Sequence, residues 1–339
     1  MIDDISDETH SDIFSWQREL WPRLWQAKTE NRLAHALLFV GMEGIGKRQF
    51  AEALACSMLC SKPSPFGVSC KACDGCYLIS AKSHPDLLVI EPEEKGKAIV
   101  VDQIRDVIKL VNETTLKGGY RIIIVDPATA MNMNSANALL KTLEEPTPNT
   151  LLILISDQGL RLPATIISRC QKVIFAKPSH TEAMAWLRAQ LVDDKVDPQL
   201  LLKLADGAPL KARSLLDKDL LLLRENVYQG MYSLIEGQTD PLQLAAKLHE
   251  ADHLCVIDLL LSWLTDLLRY KLTEDPASLI NSDYQTEITK VSIKLLHANL
   301  LAYIEQLQQT RADLLVPINL NKQLLLEDLL IRWAQYVSR

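Results

Sequence analysis

Five short apolar runs lie in residues 1–177, and in most of them the apolar residues are continuous rather than alternating with polar ones. Continuous runs of this kind are typical of strands that are buried on both faces of a parallel sheet. The segments between the runs are long enough for crossover helices, and in residues 101–113 apolar side chains recur every three or four positions. The pattern therefore predicts an α/β domain, a parallel sheet with helices on both faces. The predicted strands are 36–40, 86–90, 121–125, 151–155 and 172–175.

The second half of the chain has a helical pattern throughout. Ser179 and Glu182 have the spacing of a capping box, which predicts the start of a helix. Residues 206–209 interrupt the pattern between two short helices, and leucine-rich helical periodicity continues beyond them, most clearly at 254–272 and 320–336. We therefore predict an α/β domain, a small helical domain and an all-helical C-terminal domain, covering residues 1–177, 178–222 and 223–339.

Charge and composition exclude several classes of protein. The 339 residues include 36 Lys and Arg against 43 Asp and Glu, and most of the resulting −7 lies in residues 178–339. This balance argues against a protein that wraps nucleic acid through one dominant basic surface. The first twelve residues are acidic and lack an apolar core, so we expect a frayed tail there rather than a signal peptide. No apolar run reaches the ~18 residues of a membrane span, and we expect a cytoplasmic protein without a membrane partner.

A phosphate-binding loop follows the first predicted strand. Gly41, Gly44, Gly46 and Lys47 form the pattern G-x-x-x-x-G-K, in which backbone N–H groups and the lysine converge on phosphate oxygens. The next residue, from which a helix is predicted, should be a Ser or Thr that binds Mg²⁺. It is Arg48, which cannot ligate a cation. The loop is therefore interpreted as a degenerate nucleotide site, and whether it binds a nucleotide or nothing stays open at this point.

The acidic residue that completes such a site also lacks its usual neighbour. Asp126 follows the predicted strand 121–125, at the place of a Walker B aspartate. An ATPase of this class needs a second carboxylate beside it to polarise the attacking water, but Pro127 follows. Because two independent features are missing, we predict an ATPase fold that does not hydrolyse ATP.

Five of the seven cysteines are clustered, which points to a local metal site rather than a network of disulfides. Cys60, Cys70, Cys73 and Cys76 have the spacing C-x9-C-x2-C-x2-C, within a predicted module at about residues 56–80. Four thiolates form a closed tetrahedral zinc site, which is structural because no position stays open for water. An iron–sulfur cluster and four unliganded thiols remain alternatives. We favour structural zinc, because nothing else in the chain suggests electron transfer.

Several segments carry a resemblance to a known family. Residues 136–146 are ANALLKTLEEP, residues 168–170 are SRC, and residues 70–76 are CKACDGC. With HALLFVG at 35–41 and NKQLLLE at 321–327, they make the chain similar to AAA+ clamp-loader subunits of bacterial DNA polymerase III. Among these it resembles the delta-prime type, with the gamma/tau motor subunits as relatives.

The resemblance implies the rigid, non-hydrolysing member of a five-subunit ring that opens the sliding clamp. Motor subunits keep a Ser or Thr after the loop lysine, a second acid after the Walker B aspartate, and a nucleotide-sensing arginine in the lid. This chain has Arg48, Pro127 and Leu210 at these places. The implied partners are gamma/tau and delta subunits and, through the complex, the sliding clamp and primer-template DNA. The chain would be a component of the polymerase holoenzyme rather than an enzyme by itself, and its C-terminal helices would form a collar with other subunits.

The SRC motif, here Ser168, Arg169 and Cys170, implies an arginine finger that reaches the γ-phosphate of ATP on the neighbouring motor subunit. From the residues alone, an ion pair between Arg169 and an acid on its own surface is the alternative. Cys170 is expected to be packed rather than reactive. The charged residues Lys141, Glu144 and Glu145 form either an ordinary solvated helix face with an i,i+4 pair or a set that orients the SRC loop or the subunit contact, and both alternatives stay open. The competing function for the whole chain is an ATP-hydrolysing AAA+ motor or helicase loader, against which the two missing features argue.

Overall fold

The computed structural model describes residues 13–94, 97–111, 119–157, 162–191, 197–216, 218–314 and 321–337. The chain divides into two compact units. The first contains the described residues up to Ala185 together with Ala208–Leu210, and the second contains Trp186–Gly207 and the described residues from Lys211 onward. The division into three domains stays a prediction.

The first unit is built on a five-stranded parallel sheet, as the apolar runs predict. Its strands are β1 (Ala36–Val40), β2 (Leu87–Ile90), β3 (Arg121–Val125), β4 (Thr150–Ser156) and β5 (Gln171–Ile174). Their order in the sheet is β2-β3-β4-β1-β5, and every adjacent pair is parallel. Strand β1 aligns Leu38 with Leu154 on one side and with Lys172 on the other.

The strand limits predicted from the sequence need small corrections. Strand β2 begins one residue later than predicted, β4 extends by one residue at each end, and β5 covers 171–174 rather than 172–175. The residues gained are polar: Thr150, Ser156 and Gln171 lie opposite Arg121, Val40 and Leu37 in the ladders. A run of apolar residues indicates which part of a strand is buried. The backbone pairing of the sheet can extend beyond that run, to polar residues at the ends of the strand.

Helices cover both faces of this sheet. They are α1 (Leu20–Thr29), α2 (Lys47–Leu59), α4 (Val101–Val111), α5 (Met133–Glu144) and α6 (Ala164–Ile167), while α3 (Asp74–Ser80) follows α2 along the chain and α7 (His180–Gln190) begins in the first unit and ends in the second. Consecutive strand residues enter different apolar clusters: Phe39 packs with α1 and α2, and Leu38 packs with α4, α5 and α6. The helix predicted over 101–113 corresponds to α4, and its last two predicted residues lie outside the described part of the chain, as do residues 1–12.

Every described element after Pro178 is helical, as predicted. The remaining helices are α8 (Pro198–Leu204), α9 (Pro209–Ser214), α10 (Lys218–Ile235), α11 (Pro241–Leu248), α12 (His253–Thr273), α13 (Gln285–Lys294), α14 (His297–Leu314) and α15 (Lys322–Val337). The Ser179–Glu182 capping box is present, with the Ser179 hydroxyl accepting from the Glu182 N–H at 3.2 Å and the Glu182 carboxylate accepting from the Ser179 N–H at 3.2 Å.

The C-terminal helices α10–α15 share one apolar core in which Trp263, Tyr303 and Trp333 are almost fully buried. The segment predicted as a helix over 254–272 begins one residue earlier, because the Asp252 side chain accepts the N–H of Leu254 and caps the helix. The segment predicted over 320–336 is α15, which begins at Lys322; residue 320 lies outside the described residues. No helix in the described ranges is long and apolar enough to cross a membrane.

Candidate functional site

The ends of three neighbouring strands bring the sequence motifs together. Strands β3, β4 and β1 are adjacent and parallel, so their carboxyl ends meet at one edge of the sheet. The phosphate loop, residues 41–46, follows β1, Asp126 follows β3, and Asp157 follows β4. The structure therefore places the candidate nucleotide residues in a single cluster. The helix after the loop begins at Lys47, one residue before the predicted start.

The side chain of Lys47 is turned into its own loop. Its Nζ donates to the carbonyl oxygens of Gly41 at 2.9 Å and Met42 at 2.7 Å, and it pairs with Asp157 Oδ1 at 2.5 Å. The side chain is only 4% exposed. A lysine ammonium has three N–H donors, and these three contacts use all of them. A phosphate group would have to displace these partners before it could bind Lys47.

Arg48 joins the phosphate loop to the Walker B position. Its Nη1 donates to Asp126 Oδ2 at 3.0 Å, and its Nε donates to Glu52 Oε1 at 2.6 Å, while Glu91 lies at 3.5 Å. The guanidinium of Arg48 thus lies beside the carboxylate of Asp126, where an active ATPase would bind Mg²⁺. Burial raises the pKa of Asp126 above its usual value, and Arg48 partly offsets this. The residues present do not fit a Mg²⁺–nucleotide complex.

A segment ahead of α1 packs directly on the phosphate loop. Trp16 Nε1 donates to the Ile45 carbonyl at 2.9 Å, and Gln17 Nε2 donates to the carbonyls of Ile45 and Gly46, both at 2.9 Å. Gly46 has a φ of +91°, and a Cβ built on it would lie 2.4 Å from the ring of Phe14. A glycine is required at this position both by its backbone conformation and by the aromatic ring pressed against it.

The lid position also contacts the loop without offering a charge. The backbone N–H of Leu210 donates to the carbonyl oxygen of Gly44 at 3.0 Å. Where the motor subunits of the resembled family carry an arginine, this chain thus has an aliphatic side chain and a backbone contact. The contact of residue 210 with the loop therefore involves only neutral groups.

The four predicted metal-ligating cysteines lie together. Cys60 follows α2, Cys70 and Cys73 lie in the connecting loop, and Cys76 lies in α3. Their Sγ atoms are 3.8 Å apart for Cys60 and Cys73, 3.5 Å for Cys73 and Cys76, and 4.0 Å for Cys70 and Cys76. Tetrahedral zinc with Zn–S bonds of about 2.3 Å requires S···S separations of about 3.8 Å. The group therefore fits a four-thiolate metal site, and the structure shows that these side chains can hold a metal ion.

Local hydrogen bonds favour thiolates at two of these cysteines. A hydrogen bond with the Ser61 side chain and backbone N–H groups lower the pKa of Cys73 to about 5, and the Ala72 N–H lowers the pKa of Cys70. Burial raises the pKa of Cys60 and Cys76. The Sγ of Cys60 nevertheless accepts N–H groups from Lys62 at 3.4 Å and from Cys70 at 3.3 Å. The cluster is thus a mixture of acidic and buried thiols, which a divalent cation would convert to thiolates together.

The loop that carries the cysteines is fastened to α1 by two tryptophans. Trp21 Nε1 donates to the Phe66 carbonyl at 3.0 Å, and Trp25 Nε1 donates to the Pro65 carbonyl at 3.2 Å. Gly67 lies against the Trp25 ring so closely that a Cβ on it would come within 2.3 Å of a ring carbon. These contacts make the cysteine module a fixed part of the first unit.

The SRC loop lies between α6 and β5. Arg169 pairs through Nη2 with Glu144 Oε1 at 2.7 Å, and its Nη1 donates to the Thr165 carbonyl at 2.9 Å and contacts Ser168 Oγ at 3.4 Å. The ion pair with an acid of its own surface, one of the two alternatives from the sequence, is present. Cys170 packs against the apolar cluster on that face of the sheet, and burial raises its pKa to about 11, as expected for a packed thiol.

Comparison with known proteins covers almost the whole chain. Residues 16–179 match the family model described as DNA polymerase III, delta subunit, and residues 218–335 match the family model for the C-terminal part of that delta subunit. The DNA polymerase III subunit delta' of Pseudomonas aeruginosa is 39% identical over 96% of this chain and 98% of its own length. The chain belongs to the delta-prime family of DNA polymerase III subunits. The family resemblance predicted from the motifs is thereby confirmed.

Other delta-prime proteins and clamp-loader relatives are more distant. The Escherichia coli subunit delta' is 32% identical over 96% of both chains. The tau subunit of Bacillus subtilis is 29% identical over 78% of this chain and 46% of its own. A solved gamma subunit-related protein from Thermotoga maritima has a TM-score of 0.43 at 19% identity, covering 93% of this chain and 99% of its own. The Bacillus subtilis DNA clamp loader delta protein has a TM-score of 0.30 at 15% identity, covering 94% of this chain and 99% of its own.

The sequence motifs did not reveal several residues that shape the sites of this delta-prime chain. Asp157 could have been suspected, because it follows a buried strand beside the phosphate loop. Gln17, which is 1% exposed, and Trp16 gave no signal, since their contacts with the loop span 28 to 29 residues. Glu52 lies one turn beyond Arg48, at a spacing that predicts an ion pair.

Removing the guanidinium of Arg48 from this delta-prime chain should destabilise it in a pH-dependent way. We expect Arg48→Met to lower the free energy of unfolding by about 1–3 kcal/mol at pH 7.5, because Asp126 is left half-buried without its cation. The variant raises the folded-state pKa of Asp126 further above its unfolded value, so stability is retained in acid and lost as the pH rises through that pKa. Urea unfolding at pH 4.5 and pH 7.5 measures this difference.

The matched control is Glu52→Gln, which removes a partner of Arg48 that is more exposed than Asp126 and should cost less than about 0.5 kcal/mol. An Arg48→Met protein that is equally stable at pH 7.5, or is destabilised to the same extent at both pH values, would show that the ion pair with Asp126 has no such role.

Proposed function

We propose that this chain is the non-hydrolysing delta-prime subunit of a DNA polymerase III clamp loader. It would act in DNA replication, in a five-membered ring with gamma/tau and delta subunits, and help to load the sliding clamp onto primed DNA. Membership of the delta-prime family supports the assignment. The single observation that carries the non-hydrolysing role is the 3.0 Å contact between Arg48 and Asp126.

ATP hydrolysis requires particular groups at this edge of the sheet. The Walker B aspartate must face Mg²⁺ bound to the phosphates, and a carboxylate beside it must orient and polarise the attacking water. Here the carboxylate of Asp126 forms an ion pair with Arg48, and the side chain of Pro127 has no group that accepts a proton. Lys47 is likewise engaged by Asp157 and two loop carbonyls. The groups that hydrolysis needs are either missing or bound within the chain, so the site serves the fold rather than chemistry.

The activity of the chain would be exerted on its neighbour. Arg169 lies on an exposed turn between α6 and β5, and its side chain is 36% exposed. A guanidinium presents a planar fork of N–H donors that matches phosphate oxygens. Supplied across a subunit boundary, it would stabilise the charge that develops on the γ-phosphate of ATP bound to a gamma/tau subunit. The chain would thereby control hydrolysis without hydrolysing ATP itself.

The cysteine module and the C-terminal helices have supporting roles in this proposal. Zinc bound by Cys60, Cys70, Cys73 and Cys76 would be structural, since four thiolates leave no coordination position open. It would tie the end of α2 to α3 and so stabilise the folded module. The all-helical domain over 223–339 would form the collar through which the ring subunits associate.

The isolated chain provides the test of the non-hydrolysing role. We expect no ATP turnover above background with Mg²⁺, and no difference in nucleotide binding between samples with and without Mg²⁺, because the metal position is taken by Arg48. Turnover is measured by phosphate release, and binding by equilibrium dialysis with labelled ATP. A purified gamma/tau subunit assayed in parallel is the positive control. Robust hydrolysis by the pure chain would contradict the proposal and favour the motor function.

A further inference from the structure

The guanidinium of Arg169 is folded back onto its own chain. Two of its nitrogens are engaged, Nη2 by the Glu144 carboxylate at 2.7 Å and Nη1 by the Thr165 carbonyl at 2.9 Å. These are the two nitrogens that form the outer edge of the fork. The two contacts occupy an N–H group on each of these nitrogens and hold the guanidinium against its own chain. Release from Glu144 therefore favours a bidentate contact with a ligand outside the chain.

The position of Glu144 explains why it attracts the guanidinium. Glu144 is the last residue of α5, where the carbonyl groups of the final turn carry the negative end of the helix dipole. A carboxylate is unfavourable there unless a cation neutralises it. One of the terminal carbonyls, that of Leu143, is in contact with His35 Nε2 at 3.0 Å. Arg169 supplies the positive charge for Glu144, and the helix end and the carboxylate attract the guanidinium together.

The ion pair between Arg169 and Glu144 is weak enough for another anion to replace the carboxylate. The Glu144 side chain is 51% exposed and that of Arg169 is 36% exposed, so water and salt screen their attraction. Exposed pairs of this kind change an equilibrium constant by only a few-fold. A phosphate group carries more negative charge than a carboxylate and accepts the same fork of donors, so it can replace Glu144.

We propose that Glu144 is a positioning residue that holds Arg169 in a folded-back state until a phosphate of the neighbouring subunit's nucleotide displaces it. The inference rests on the proposed function of Arg169 as a finger in trans. Glu144 touches no reacting atom and acts only through Arg169. As long as no phosphate is within reach, the carboxylate shifts the guanidinium a few-fold towards the folded-back state, and a phosphate must overcome this preference before Arg169 can bind it.

The first test uses the assembled loader with the variant Glu144→Gln, which keeps the shape of the side chain but removes its charge. We expect kcat/KM for clamp- and DNA-stimulated ATP hydrolysis to rise about two- to five-fold. The ratio of variant to wild type should fall towards one as ionic strength rises from about 0.05 to 0.5 M, because salt screens the pair in the wild type. A purely structural role of Glu144 would not give this salt dependence. An unchanged or lower kcat/KM would overturn the inference.

A double-mutant cycle with Arg169→Ala separates the inference from the proposed function. If Glu144 acts through Arg169, then Glu144→Gln has no effect in the Arg169→Ala background. If Arg169→Ala itself leaves hydrolysis at the full rate, the finger is absent, and the proposed function fails rather than the ion pair. The control variant is Glu145→Gln, an exposed carboxylate at the same end of α5, which should leave the rate unchanged.

The isolated full-length chain gives a readout that does not depend on ring assembly. Phenylglyoxal modifies exposed guanidinium groups, and pairing with a carboxylate slows the reaction. We expect Glu144→Gln to raise the modification rate of Arg169 about two- to five-fold, as measured by peptide mass spectrometry. The rate at Arg213, an exposed arginine of α9, should not change and serves as the internal reference. Equal rates at Arg169 in the variant and the wild type would refute the holding contact.

Discussion

Loaders assembled with the Arg169→Ala variant are expected to lose ATP turnover at the one site that faces Arg169, so that any burst of hydrolysis in the presence of clamp and primed DNA should be smaller by about one ATP per loader. At the neighbouring site, the rate should fall by about 10³-fold or more, the usual contribution of an arginine finger. The physical reason is that alanine removes the N–H donors that would face charge on the transferring phosphoryl group. The steady-state rate of the loader reports several sites, so the burst amplitude in rapid-quench experiments is the sharper measurement.

Two further variants define what this result means. Arg169→Lys keeps the positive charge but lacks the planar fork, so it should recover only part of the burst. Arg213→Ala removes an exposed arginine of α9 and should leave the burst intact. Ring assembly of each variant is confirmed by gel filtration, which separates lost chemistry from lost association. A full burst and a full rate with Arg169→Ala would show that this side chain serves contacts within its own chain and is not a finger.

Replacing Cys73 with serine should remove the metal and destabilise the cysteine module. We expect roughly one zinc per chain in the wild-type protein and close to none in the variant, because three thiolates and a hydroxyl hold zinc poorly. The free energy of unfolding should fall by several kcal/mol, since metal binding stabilises only the folded arrangement of the ligands. Metal content by plasma mass spectrometry and thermal unfolding with and without a chelator measure the two effects.

The matched control is Cys170→Ser, which changes a half-buried thiol outside the metal group and should leave the metal content unchanged. Absorption in the visible range from iron in the wild-type protein would decide for the iron–sulfur alternative and against zinc. A chain that retains its full stability after complete removal of the metal would contradict a structural role for the site.

The parallel sheet and the helical second half were predictable because each follows from local patterns. A strand of five consecutive apolar residues is favourable only where both of its faces are buried. In the structure Phe39 and Leu38 accordingly pack into different apolar clusters. The strand ends were less predictable: Thr150, Ser156 and Gln171 belong to ladders although their side chains are polar. Backbone pairing depends on neighbouring strands, and a single segment carries no information about them.

The sequence was also informative about the four cysteines, since two-residue gaps restrict how far apart thiols can lie. It said less about the degenerate loop. Arg48 in place of a hydroxyl excludes a metal ligand, but the sequence left open whether the loop binds a nucleotide or nothing, and it did not show which residues Arg48 contacts. The contact of Arg48 with Asp126 joins residues 78 positions apart, and the contact of Lys47 with Asp157 joins residues 110 apart. Only the order of strands in the sheet brings these residues to one edge.

The sequence alone therefore determined that Arg48 and Pro127 stand where ATP hydrolysis requires a metal-binding hydroxyl and a carboxylate, and from this it predicted a chain that does not hydrolyse ATP. It also determined the α/β and helical regions, the metal-compatible cysteines and the family. The tertiary structure decided which ion pairs the charged residues of these motifs form: Arg48 pairs with Asp126, Lys47 with Asp157, and Arg169 with Glu144. Charged side chains find partners through space over a few ångströms, and that proximity is created by the sheet and the helices packed on it, not by distance along the chain.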